Sequence, residues 1–271
     1  MFYTKERGNQ MKTSFKVVSG LVILSCFVFI TFASSAYAVA KVEGLVVYLS
    51  FDDGGDKVIK DLSGVGHDGE NHGAKSVEGK FGKALQFGGV DTWVTVEDAP
   101  DLNFGAEDSL TAMVWAKIIG APTGQGNLLA KYAVGASTTP FYGMFHNVSN
   151  QVHAYIRDNA SKLTEQWSKS AINDDKWHHI ALIRDTNKKK AYLYVDGNLE
   201  SEKDDVAEDL TNNFPLAIGR HTGEFLVGIV DEAMLFRRAL SENEIKVAMT
   251  PKNLLAVSSN GKLATKWGDI K

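Results

Sequence analysis

Apolar and polar positions alternate with a period of two along most of the chain. In 44–51, Leu45, Val47, Leu49 and Phe51 share one face while Val46 and Tyr48 share the other. Both faces are apolar, the pattern of a strand held between two layers. The same period predicts strands at 84–87, 93–96, 109–117, 126–132, 141–147, 151–157, 177–184, 191–195, 216–219 and 226–236. Asp196-Gly197-Asn198 reads as a hairpin turn and the lysines at 188–190 as a solvated one. The polar, glycine-rich stretch 52–73 reads as a loop. One helix is predicted: Ser241 caps it, Glu244 completes a capping box, Ile245, Val247, Ala248 and Met249 form its apolar face, and Pro251 ends it. Many short strands with few prolines and one short helix predict an all-β jelly-roll sandwich of two antiparallel sheets.

The N-terminus departs from this pattern. Lys12 and Lys16 precede an apolar run from Val17 to Phe32, and Ala36-Tyr37-Ala38 supplies the small residues of a cleavage site. Residues 1–38 thus read as a secretory signal peptide, with Met1 or Met11 as the start, and the protein is expected to be secreted or held at the cell surface or in the periplasm. The apolar run is shorter than the ~18 residues of a membrane span. The jelly-roll domain is expected over 39–250, and 251–271 as a C-terminal tail or hairpin. The only cysteine, Cys26, leaves with the leader, so the core must hold without a disulfide.

The chain carries a net charge of −4, and losing a basic leader makes the remainder more acidic. Nucleic acid and anionic membranes are disfavoured as partners. The segment FGKALQFGGVDTWVTV at 81–96 has the glycines of a phosphate loop, yet a β-branched and aromatic run follows them where a helix would be needed. It reads as two strands joined at a glycine corner, with Asp91 at the bend.

Seven pieces then stand in a telling order: Tyr48-Leu49-Ser50-Phe51-Asp52-Asp53, the run from Asp61 to Gly69, the run from Gly79 to Phe87, Leu110 to Ala116, Trp177-His178-His179-Ile180-Ala181, Leu193-Tyr194-Val195-Asp196-Gly197, and Gly228 to Glu232 leading to Arg238-Ala239-Leu240-Ser241. From Gly44 to Met249 the sequence resembles the laminin-G-like jelly-roll domain family of the concanavalin A-like lectin and glucanase superfamily. The resemblance implies a secreted or surface module that binds glycans or proteins, frequently with calcium.

The chemistry-bearing residues fit that expectation. On an unbroken strand Asp231 points with Ile229, Ala233 and Leu235, and Glu232 with Val230, Met234 and Phe236. A carboxylate facing inward needs a partner. Calcium, which takes six to eight oxygens, is the expected cofactor, with Asp91 and Asp231 as ligands and Asp52 as a third. The competing reading is a hydrogen-bond cluster made by the protein alone. Adjacent His178 and His179 point to opposite faces and cannot share a metal. Trp93, Tyr142, His146, Asn147 and Tyr155 are the expected ligand-binding residues, with Tyr132 and Trp167 further candidates for stacking on sugar. No Glu-x-Asp-x-x-Glu or Gly-x-Ser-x-Gly run occurs, so no enzyme is expected. The function expected is a non-catalytic, calcium-dependent, lectin-like module, and the alternative is a protein-binding or adhesion module of the same fold.

Overall fold

The computed structural model describes residues 42–251 apart from 55, 90, 121–123, 133–138 and 222–223. The leader expected at 1–38 and the tail or hairpin expected after Pro251 lie outside the described residues. The strands begin with β1 (Leu45–Leu49), β2 (Val58–Ile59), β3 (Gly69–His72), β4 (Lys75–Glu78), β5 (Lys83–Gly88) and β6 (Trp93–Val96). Next come β7 (Leu110–Ile118), β8 (Gly126–Lys131), β9 (Phe141–His146), β10 (Gln151–Arg157), β11 (Leu163–Ala171) and β12 (His178–Asp185). The chain continues through β13 (Lys190–Val195), β14 (Asn198–Asp204), β15 (Leu216–Ile218), the short pair β16 (Arg220–His221) and β17 (Glu224–Phe225), β18 (Val227–Phe236) and helix α1 (Glu242–Ala248).

Two eight-stranded antiparallel sheets result. The first runs β14-β13-β12-β7-β18-β5-β4, with β1 also paired to β18, and the second runs β11-β10-β9-β8-β15-β6-β3-β2. Their inner faces meet in one apolar core, to which Val47, Leu85, Val114 and Leu182 contribute from the first sheet and Val94, Leu129, Met144 and Ile156 from the second. On the far side of the first sheet, Leu45, Met113, Ile183, Met234 and Phe236 pack under Leu240, Ile245 and Ala248 of the α1 segment. The capping box is formed: the Ser241 side chain accepts the Glu244 N–H, and the Glu244 carboxylate accepts the Ser241 N–H.

β18 departs from the expected alternation. Asp231 stands opposite Trp115, yet Met234 stands opposite Met113, so β18 carries one residue more than β7 between those pairs. Glu232 absorbs the extra residue at φ 54°. This β-bulge reverses which face each later side chain meets. Ala233 and Leu235 therefore side with Val230 in the inter-sheet core, not with Ile229 and Asp231. Along the opposite edge of β18, β5 pairs from Val227 to Val230 and β1 from Ala233 to Phe236, so the bulge falls at the seam between them.

β11 is a strand that the alternation of apolar residues did not predict. Its inward residues are Thr164, Gln166 and Ser168, all buried and all polar. They lie between the sheet edges, and hydrogen bonds hold two of them: Ser168 Oγ accepts the Val152 N–H and Thr164 Oγ1 accepts the Val206 N–H, while the Gln166 amide is buried without a partner. Nearby, Arg184 is the largest fully buried side chain. Its guanidinium donates to Asp205 Oδ2 (2.7 Å) and to the carbonyls of Gly105, Ala207 and Glu208 (2.9, 2.6 and 2.8 Å), tying two loops to β12. Replacing it strands a buried carboxylate and several carbonyls. Arg184→Leu is expected to cost about 3–5 kcal/mol in urea unfolding, and a loss below about 1 kcal/mol would contradict this account.

Candidate functional site

Each sheet has a face turned away from the shared core, and the two faces differ. That of the first sheet is covered by α1 and by the loop before β5, where Phe81 meets Trp115 edge-on at 6.1 Å and Trp115 Nε1 donates to the Met249 carbonyl. That of the second sheet carries a row of small residues, Thr95, Ala217, Ala130 and Gly143, opposite one another on β6, β15, β8 and β9. Aromatic side chains rise on either side of this floor. They form a continuous belt: Tyr132 meets Phe145 at 6.1 Å, Phe145 meets Tyr155 at 5.6 Å, and Phe141 meets Tyr155 at 5.5 Å. His153 sits 3.8 Å from Tyr155 and stacks on Trp167 at 3.4 Å.

Hydrogen bonds hold the belt in place. The Tyr155 hydroxyl lies 2.5 Å from His153 Nδ1, and His153 Nε2 lies 2.5 Å from Glu165 Oε1. Trp167 remains 39% exposed, although indole is among the costlier side chains to leave in water. At the other end a cavity of about 280 Å³ opens between Trp93, Thr95, Tyr132, Phe214, Pro215, Ala217 and Arg220. The Tyr132 hydroxyl donates to the Arg220 carbonyl (2.7 Å), joining belt and cavity.

Of the ligand-binding residues expected from sequence, Trp93 and Tyr155 lie on this face and three do not. Tyr142 is a core residue: it is fully buried, meets Phe104 edge-on at 5.2 Å, and its hydroxyl donates to the Leu102 carbonyl. His146 also points inward, buried against Gly126, and burial pushes its pKa down to about 4. Asn147 is a turn residue whose Oδ1 accepts the Ser149 and Gln151 N–H groups between β9 and β10. Phe141, Phe145, His153, Phe214 and Arg220 belong to the face and were missed. FYGMFH presents apolar side chains to both sides, so its parity is settled only by which side meets the other sheet.

The acids expected to hold calcium are distributed over the first sheet. Asp231 is fully buried at the seam; its Oδ2 accepts the Phe81 N–H (2.9 Å) and its Oδ1 has no hydrogen-bond partner. Glu232, also buried, accepts the Tyr48 hydroxyl at 2.6 Å. Asp52 is exposed and accepts the Lys83 N–H (2.8 Å), close enough for its charge to act on both. Asp91 is not brought to them. It follows the end of β5, where Gly88 faces Val227, four residues from Asp231 and hence about 13 Å further along β18. Its own peculiarity is φ 57°, which the bend requires. Among the described residues no three His, Cys, Asp or Glu side chains are grouped to hold a metal, so Asp52, Asp91 and Asp231 do not make one donor set. Asp231 and Asp52 serve the backbone, taking the Phe81 and Lys83 N–H groups where β1 gives way to β5, and Glu232 takes the Tyr48 hydroxyl.

This is the fold of an antiparallel jelly-roll binding module. The sequence profile of the concanavalin A-like lectin/glucanases superfamily, of laminin G type, matches residues 87–246, more than half of the chain, and the chain belongs to that family. No curated protein matches the sequence. Among solved structures, the binding domain of Paraclostridial Mosquitocidal Protein 1 is similar at 18% identity and a TM-score of 0.62, over 75% of this chain and 51% of that one. Domain 4 of AbnA, an extracellular arabinanase from Geobacillus stearothermophilus solved with arabinotriose, is similar at 17% identity and a TM-score of 0.61, over 76% of this chain and 98% of the domain. The botulinum neurotoxin serotype G binding domain follows at 12% identity and a TM-score of 0.59, over 74% and 50%. The chain thus spans about half the length of the toxin domains, and at these identities the likeness is one of fold.

The seam makes stability depend on pH. Burial raises the Asp231 carboxyl to about 7, helped by the Asp52 charge, and burial with the Asp231 charge raises Glu232 to about 8. Between pH 6.5 and 8.5 these carboxyls are ionised in the unfolded chain and still give up protons in the folded one, so their contribution falls as pH rises. The buried neutral imidazoles of His146 and His179, both lowered to about 4, act with the opposite sign from about pH 4 up to about 7, where the unfolded chain still binds their protons, and they act alike in the wild type and the variants below. Glu232→Gln and Asp231→Asn should each lose less stability than the wild type between pH 6.5 and 8.5, as followed by thermal unfolding. Parallel curves would show that the seam carboxyls are already ionised in the native state.

Proposed function

We propose that the protein is a non-catalytic carbohydrate-binding module whose sugar-contacting surface is the outer face of the second sheet. The observation that carries the reading is the outer part of the aromatic belt, where Phe141 and Tyr155 are half-buried and Trp167 is 39% exposed over a buried layer of Ala130, Tyr132 and Phe145. Sugar rings offer flat C–H faces that stack on aromatic rings, and Phe141, Tyr155 and Trp167 keep surface open to them, while Tyr132, Phe145, His153 and Ala130 are buried. The arabinanase domain of similar fold, solved with arabinotriose, supports the sugar reading.

The same face argues against hydrolysis. Its described carboxylates on β3 and β11, Glu70 and Glu165, are six strand spacings apart, roughly 29 Å, where a glycosidase needs ~5–9.5 Å.

Affinity gel electrophoresis against soluble polysaccharides, followed by calorimetry with arabinotriose and the oligosaccharides of whichever polymer is retained, tests the proposal. Tyr155→Ala and Trp167→Ala should each weaken binding about tenfold, as expected for losing one stacking ring worth ~1.5 kcal/mol. Glycan binding that both variants leave intact would place the site elsewhere. Failure of every glycan, with a protein partner captured through Trp167, would favour an adhesion module.

A further inference from the structure

The cavity at the end of the belt contains a cation with no described counter-charge. Arg184 pairs with Asp205, Arg237 with Asp108 and Arg238 with Glu244, all within 2.9 Å. Arg220 has no ion pair among the described side chains, and its Nε is buried without a hydrogen-bond partner. Arg220 is half-buried, and a guanidinium N–H shut off from water is costly until an acceptor meets it.

The surroundings hold this guanidinium in a fixed place. Asn127, itself fully buried, accepts the Gly219 N–H through its backbone carbonyl (2.8 Å) and donates its side-chain amide to the Ala217 carbonyl (2.9 Å). Gly219 adopts φ 94° with Phe87 so close that no Cβ would fit, and this sets the direction in which Arg220 leaves the sheet. The guanidinium then lies 4.9 Å from the Trp93 ring, a cation–π arrangement. His72 stacks on the same indole at 4.8 Å and 18°, with its Nε2 3.0 Å from Thr95 Oγ1. With both groups against it, Trp93 supports the arginine and is not itself a bare platform for a sugar.

We infer that this cavity selects a sugar bearing a carboxylate, a hexuronate unit, with Arg220 as the reader of the acid. This rests on the carbohydrate-binding reading above. One planar cation matches one planar monoanion, and the fork of N–H donors pairs with a carboxylate at two points. At about 280 Å³ the cavity sits at the lower end of small-ligand pockets, the size for one terminal or side-chain unit and not for a chain segment. Tyr132, Phe214 and Ala217 supply the apolar walls for the ring carbons. The neighbouring belt would bear the remaining units.

Calorimetry on the whole chain with tri-galacturonate and with its methyl-esterified, uncharged counterpart tests the inference. The acid form should bind at least tenfold more tightly than the ester, and the preference should shrink as salt rises. Arg220→Gln should abolish the preference, and Arg220→Lys should restore part of it, since a point charge replaces a fork. Equal affinity for acid and ester, or an acid preference that survives Arg220→Gln, overturns the inference while leaving a neutral-glycan module standing. If neither trisaccharide binds and arabinotriose does, the carboxylate preference is likewise wrong. If no sugar binds, the reading beneath it fails as well.

Discussion

β18 is the strand on which the sandwich depends, and its bulge is the constraint from which the rest follows. The strand pairs with β7 along one edge and must serve β5 and then β1 along the other. By inserting one residue at Glu232, it turns Leu235 into the inter-sheet core and Met234 and Phe236 toward α1. An unbroken period of two would put Met234 and Phe236 in the core and Leu235 under the helix, a reversal of every later side chain. The bulge carries a visible cost, since it buries Asp231 and Glu232 side by side with one carboxylate oxygen unpartnered. Protonation, the Tyr48 hydroxyl and the backbone N–H groups of the loop before β5 offset that cost.

With α1 and that loop seated on the first sheet, the broad face left with exposed aromatics is on the second. There the strands place small side chains in a row and large rings beside it, so the surface is already shaped without a ligand. Under the proposed function, rings locked by one another and by the Tyr155, His153 and Glu165 hydrogen bonds would lose little freedom when a sugar settles on them. The same economy applies to Arg220, whose guanidinium is oriented by Trp93 before any acid arrives.

Much of the fold was legible in the sequence because the strands obey a simple period and the helix announces itself with a capping box. The hairpin at Asp196-Gly197, with φ 52° and 74°, follows from the residues that tolerate those angles. The bulge was not legible, because a glutamate at positive φ carries no glycine signal. β11 was hidden by an inverted pattern, with polar residues inside and Trp167 outside. Within the site, Trp93 and Tyr155 could be read, while Tyr142 and His146 could not be assigned a face in a segment apolar on both sides. Arg220 gave no sign at all, since the inference drawn from it rests on its having no counter-charge among the described side chains.

The five tryptophans offer the most direct test of the central claim that sugar binds the outer face of the second sheet. Their indole N–H signals should be followed by two-dimensional NMR while the best-binding oligosaccharide is titrated into the protein. The account predicts that the Trp93 and Trp167 signals move together with a common midpoint while Trp115, sealed beneath α1, stays still. Movement of Trp115 with Trp93 and Trp167 unmoved would place the binding surface on the first sheet and contradict it.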